Sequence, residues 1–112
     1  MVRVWIDVPE LERFGDPVGV GDAVVWPVIV NDPLPEWEFL IKPLHIDWCH
    51  CVDHSKASPI WGVVRSVKGV WFDWTTGDVL AVALFVVVGV FGFGDGWGVL
   101  GVQGCGMMVT LI

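Results

Sequence analysis

The chain predicts a mainly β fold: a small antiparallel barrel-like or curled sheet with one or two short helices. Three observations carry that expectation. Val2 to Val8 alternates, with Val2, Val4, Ile6 and Val8 facing one way and Arg3, Trp5 and Asp7 the other, as in a half-buried strand. Ile60 to Trp74 is rich in β-branched residues and alternates again after Gly69, setting Val70, Phe72 and Trp74 against Trp71 and Asp73. Glycine turns, Gly21-Asp22 and Thr75-Thr76-Gly77-Asp78, separate the apolar runs. Short strands joined this way bury their apolar faces by curling into a barrel or packed sheet.

Taken in order, the opening strand gives way at Pro9 to one helical turn, Pro9 to Gly15. Proline suits the first helical position, the acids favour its positive end, and Gly15 accepts the left-handed cap. Asp16-Pro17 reopens the chain. Val24 to Val30 then reads as a strand, and Pro27, which lacks an amide donor, places it at an edge or at a bulge. Residues 31 to 35 form a loop. Pro35 to Lys42 is the best helix in the chain, with proline and two glutamates at its start, Lys42 at its end and Pro43 as its stop. Trp37, Leu40, Ile41 and Leu44 fall at helical spacing and read as a core-facing stripe. Strand returns at Ile60, and the Thr75–Asp78 turn leads into a further antiparallel strand, Val79 to Leu84.

Val4-Trp5-Ile6-Asp7, the run Phe14 to Trp26 with its Gly-Asp-Pro and Val-Gly-Asp-x-Val-x-Trp patterns, and Gly62-Val-Val-Arg-Ser-Val67 together resemble a small uncharacterised actinobacterial protein family. The resemblance covers about residues 2–74. It implies a small β domain and carries no activity with it. The family has a Cys-Cys pair just before Gly-Asp-Pro, where this chain has Arg13-Phe14, and the chain from Val79 onward does not match.

Charge narrows the function. The formal net charge is −7 with only six Lys and Arg, which argues against nucleic acid, because phosphate backbones are bound by clustered cations. Arg65 and Lys68 are the nearest approach to such a cluster. Three cysteines cannot all pair within the chain, and no charged-then-apolar leader precedes the first strand, so the expectation is free thiols in a reducing, cytoplasmic compartment.

The densest chemistry lies at His45-Ile-Asp-Trp-Cys-His-Cys-Val-Asp-His54, which holds all three histidines and two of the three cysteines. Zinc takes four tetrahedral sulfur or nitrogen ligands, and Cys49, Cys51, His45 and His54 are the most reasonable set. In an extended Cys49-His50-Cys51 the cysteines share a face and His50 points away. The cysteines are separated by one residue, however, where structural zinc sites usually leave two to four and draw a second pair from a distant segment. A polar loop between helix and strand is the simpler reading and stays ahead. A catalytic reading makes Cys49 or Cys51 a nucleophile activated by His50 or His54 and oriented by Asp47 or Asp53. It is the least favoured, since neighbouring residues seldom align for proton transfer and no oxyanion loop flanks them. No Walker loop, dinucleotide fingerprint or His-Glu-x-x-His is present.

Composition changes sharply at Asp78. Residues 1–78 form the small β domain and carry all six cations; residues 79–112 carry one charge, Asp95, and are rich in Val and Gly. Three readings of this apolar tail stand side by side. It supplies extra strands, with Asp95-Gly96 as a hairpin turn; it is a membrane segment, since Val79 to Gly94 is nearly long enough to span as a helix; or it is a frame artefact, its residues being almost all writable with G- and T-rich codons. The leading functional expectation is a noncatalytic binding or interaction module. A zinc protein using the Cys/His cluster and a protein anchored to a membrane through residues 79–112 are the alternatives.

Overall fold

The computed structural model describes residues 1–11, 17–30, 44–53, 55–84, 86–87 and 102–112. The alternation at the amino terminus produces β1 (Val2–Asp7), with Val4 and Ile6 buried on one face and Arg3 exposed on the other. Asp7 ends the strand and caps a helical turn: its Oδ1 accepts the Glu10 N–H at 3.0 Å. That helix, α1 (Val8–Leu11), is a single turn of four residues. The expectation of one or two short helices is therefore not borne out as a component of the architecture. The helical turn begins one residue before Pro9, and both its expected end and the helix expected over Pro35–Lys42 lie outside the described residues.

The strands follow as β2 (Val18–Gly19), β3 (Ala23–Val30), β4 (Trp48–His50), β5 (Ser58–Asp73), β6 (Val79–Leu84), β7 (Val86–Val87) and β8 (Val102–Leu111). Between β2 and β3 the Val20-Gly21 turn needs a left-handed residue, and Gly21 supplies it at φ 97°. Asp22 closes the turn by accepting the Gly19 N–H at 2.7 Å. The β5–β6 hairpin forms where Thr75–Asp78 predicts it. Asp73 accepts the Thr75 hydroxyl at 2.6 Å and the Thr75 N–H at 2.9 Å, and these bonds, the hydroxyl first, hold its carboxyl below the usual carboxylate range.

Six strands form one sheet in the order β3-β4-β1-β8-β5-β6, and β3 also pairs with β5. The succession of pairings from β3 through β4, β1 and β8 to β5 thus returns to β3. It does so because β5 is sixteen residues long: Ser58–Val63 pairs with β3, and Val64–Asp73 pairs with β8. β2 and β7 make a separate two-stranded pair. The sheet is mixed: most pairings are antiparallel, as expected of the strands, and one is parallel. β1 and β4 run parallel, Val4 opposite Trp48 and Trp5 opposite Cys49. The Asp47 N–H donates to the Arg3 carbonyl at 2.9 Å and feeds β4 alongside β1 in the same direction.

Pro27 does not mark an edge, since β3 has partners on both sides. It faces Pro59 of β5. The Val64 N–H donates to the Asp22 carbonyl at 2.9 Å, and alternation from that rung puts Pro27 and Pro59 on one where no N–H is needed. On the β4 side the Pro27 carbonyl still accepts the Cys51 N–H at 3.0 Å.

The alternation sorts apolar residues onto two faces. One core holds Val4 and Ile6 of β1, Leu11 of α1, Val24, Trp26 and Val28 of β3, Val64, Val67 and Trp71 of β5, and Met107, Val109 and Leu111 of β8. The opposite face carries a smaller cluster, with Trp5, Ile46, Val70, Phe72, Cys105 and Met108. Strands from either side of Asp78 share the sheet: β8 lies between β1 and β5, and β6 pairs with β5. No helix among the described residues is long and apolar enough to cross a membrane. The turn expected at Asp95-Gly96 lies outside them.

Candidate functional site

The Cys/His segment folds as a turn and a short strand, and its members go to different surroundings. His45 is exposed, with its backbone in the left-handed region at φ 54°. Cys49 sits in β4 and packs against the smaller apolar cluster, while Cys51 follows the strand and is partly buried. Both are free thiols, as is Cys105. His54 lies outside the described residues. Among the described residues, no three His, Cys, Asp or Glu side chains group closely enough to hold a metal ion.

His50 takes the opposite face from Cys49, as extended backbone requires. It is buried against Trp26 of β3, edge to face with ring centroids 5.6 Å apart. Its Nδ1 lies 2.9 Å from Glu10 Oε2, and both residues are buried. Glu10 stands third in the helix that Asp7 caps, where a glutamate often folds back on the cap residue's amide. Here it reaches instead across to β4. The pair ties α1 to β4 in the interior.

A different set of residues converges on the outer face. A cleft of about 540 Å³ is lined by Met1, Arg3, His45, Asp47, Arg65, Ser66, Lys68, Met108 and Thr110. The register explains why these meet. Arg3 of β1 lies opposite Thr110 of β8, and Thr110 lies opposite Ser66 of β5, so the three form one row across the sheet. Lys68 and Met108 form the neighbouring row. Arg65 joins them through a β-bulge. Val64 pairs with Leu111 and Ser66 with Thr110, leaving Arg65 as the extra residue. Val64 and Val67, three apart, both point into the core, so Arg65 and Ser66 between them both face outward. Bulges commonly re-aim a side chain in this way.

The cleft gathers Arg3, Arg65 and Lys68 from a chain with six Lys and Arg, and Asp47 is its one carboxylate among the described residues. Asp47 is engaged already, since its Oδ2 accepts the Arg3 backbone N–H at 2.9 Å. The Arg3 guanidinium is oriented by a bond from Nη1 to the Leu44 carbonyl at 3.0 Å. Arg65 donates to the Met1 thioether sulfur at 3.3 Å, a weak acceptor that a ligand oxygen would displace readily. Among the described residues neither Arg65 nor Lys68 has a carboxylate partner. With the hydroxyls of Ser66 and Thr110 on its floor, the cleft is rich in donors and can hold an anion.

Sequence reasoning picked out Arg65 and Lys68 as the nearest cations but missed Arg3, sixty-two positions before Arg65. It also missed the bulge that makes the cluster. Comparison with known proteins finds no family, no curated protein and no solved structure that matches this chain.

Proposed function

We propose that the protein is a small noncatalytic binding module, a barrel-like β domain whose working face is the basic cleft and whose ligand is a small anion. One observation carries the reading: three cations converge on a single cleft of a protein whose net charge is −7. In an acidic protein such a concentration is held against the field of the whole molecule and draws small anions locally. The return of the strand pairings to β3 supports the barrel-like description. The free thiols support a cytoplasmic setting, and the pairings of β6 and β8 support residues 79–112 as extra strands. Kinship with the small actinobacterial family over residues 2–74 belongs to the same proposal, on the motifs that supply β1, β3 and β5.

The test is calorimetric titration with sulfate at low ionic strength. Saturable binding is expected to the wild type and not to the Arg65→Gln/Lys68→Gln variant. Equal binding by the variant, or none by the wild type to sulfate, phosphate or benzoate, would falsify the reading.

Zinc binding by Cys49 and Cys51 with His45 and His54 is the second reading, supported by two free thiols one residue apart at the end of β4. Elemental analysis tests it. Stoichiometric zinc that falls in Cys49→Ser would establish it, and its absence from protein purified without chelator would end it.

A further inference from the structure

We infer that the ligand of the basic cleft is an organic phosphate monoester, held by its dianionic head on Arg3, Arg65 and Lys68 with its body lying along Met108 and Met1. The inference rests on the anion-binding reading above and adds the chemical class. Three features select that class.

The first is charge. Among the described residues, three cations against one carboxylate leave an excess of two positive charges in the cleft, and a phosphate monoester carries about −1.5 to −2 at pH 7. A single carboxylate would neutralise half of that excess.

The second is donor geometry. Arg3 enters from β1 while Arg65 and Lys68 enter from β5, with β8 between them. Strands two places apart are separated by roughly 9–10 Å, so the cations approach an ion over β8 from opposite sides. Thr110 and Ser66 supply hydroxyls from below in the row that Arg3 begins. Donors arriving from two sides and from the floor match three terminal oxygens on a tetrahedral centre better than the two coplanar oxygens of a carboxylate. Guanidinium forks suit phosphate oxygens for the same reason.

The third is room. At about 540 Å³ the cleft has the size of a small-molecule site and far exceeds one oxyanion. The rest of the lining among the described residues is His45 with Met1 and Met108, and the flexible, polarisable thioethers adapt to an apolar or aromatic body. Displacing the Met1 sulfur frees the Arg65 guanidinium at the moment a phosphate oxygen arrives to take its place.

Calorimetry at pH 8 and low salt, where the monoester is a dianion, tests the class with phenyl phosphate, inorganic phosphate, benzoate, and phosphatidylcholine vesicles carrying phosphatidate. Phenyl phosphate is expected to bind at least tenfold more tightly than inorganic phosphate or benzoate. Arg3→Gln and Lys68→Gln should each weaken it at least fivefold while leaving the near-ultraviolet circular dichroism unchanged. Benzoate binding as tightly as phenyl phosphate would overturn the class and leave an anion site standing. Inorganic phosphate binding as tightly would identify the free ion as the ligand and likewise overturn it. Vesicle binding with no response to soluble phenyl phosphate would assign the phosphate to a lipid headgroup and defeat the small-molecule inference. Failure of every anion to bind would remove the anion-binding reading itself.

Discussion

At the scale of single residues, burial decides which of the reactive-looking groups are available. His50 and Glu10 are buried together, and removing one takes from the other its buried contact at 2.9 Å. Glu10→Ala should cost about 3 kcal/mol in urea unfolding, whereas Glu10→Gln, which keeps an acceptor, should cost about 1 kcal/mol. Equal costs would show that the contact matters only as packing. Cys105 is a thiol pushed up to about 11 by burial, against a bond from the Phe72 backbone that works the other way. Because the folded value lies above the unfolded one, the unfolded chain releases its proton first as pH rises. This contribution to stability is complete below about pH 9 and is lost as pH climbs through about 11. The Tm should fall across that window more steeply in the wild type than in Cys105→Ala. At pH 8 a maleimide should label Cys49 and Cys51 well before Cys105. The sequence makes these residues visible as chemistry but hides their exposure, because burial depends on which strand lies alongside. Nothing near His50 in the chain announces Glu10, forty positions away.

At the scale of elements, periodicity was readable in four strands but not in the ten-residue β8, whose glycines and bulge interrupt the alternation. Expected strands at Val2–Val8, Val24–Val30, Ile60–Trp74 and Val79–Leu84 correspond to β1, β3, β5 and β6. The three-residue β4 is shorter than two full alternations and reads as loop until β1 and β3 are placed beside it. Bulges are still less legible, since the extra residue is defined only against its partner strand. A second one lies in β8, where Val70 pairs with Gly106 and Trp71 with Gly104, leaving Cys105 unmatched. There β1 presses close: a Cβ at position 106 would meet the Ile6 carbonyl oxygen and lie 2.8 Å from Trp5 Cζ2. Gly106→Ala should therefore cost about 3 kcal/mol or more, as overpacking against backbone does. A loss below 1 kcal/mol by thermal or urea unfolding would show that β1 can shift. Deleting Arg65 restores a regular ladder between β5 and β8. It should preserve folding while abolishing the cleft's hold on anions.

At the scale of the whole molecule, a barrel-like or curled sheet was the expectation, but the particular return of pairings to β3 was not legible. It depends on one long strand meeting two others along its length, and on a parallel pair that no local pattern encodes. The composition change at Asp78 is real in the sequence, yet the sheet runs across it. A chain cut at residue 78 loses β6 and β8, and with β8 the only strand that pairs with both β1 and β5 among the described residues. Such a truncation should show no cooperative thermal transition. A folded, cooperative 1–78 fragment would contradict the place given to β8.

The pairing of β1 with β8 also dictates an order in time. Val2 meets Leu111 and Asp7 meets Gly106, so β1 waits for a strand about a hundred residues later in the chain. Contacts so distant along the chain make folding slow, because the loop-closure cost comes before the contacts that offset it. Until β8 is available, the bonding edge of β1 and the Val64–Asp73 stretch of β5 lack the strand that lies between them. The nascent chain is exposed to wrong pairing for as long as β1 and β5 are available and β8 is not. Cellular yield should then depend on elongation rate and chaperone supply more than on the stability of the finished fold.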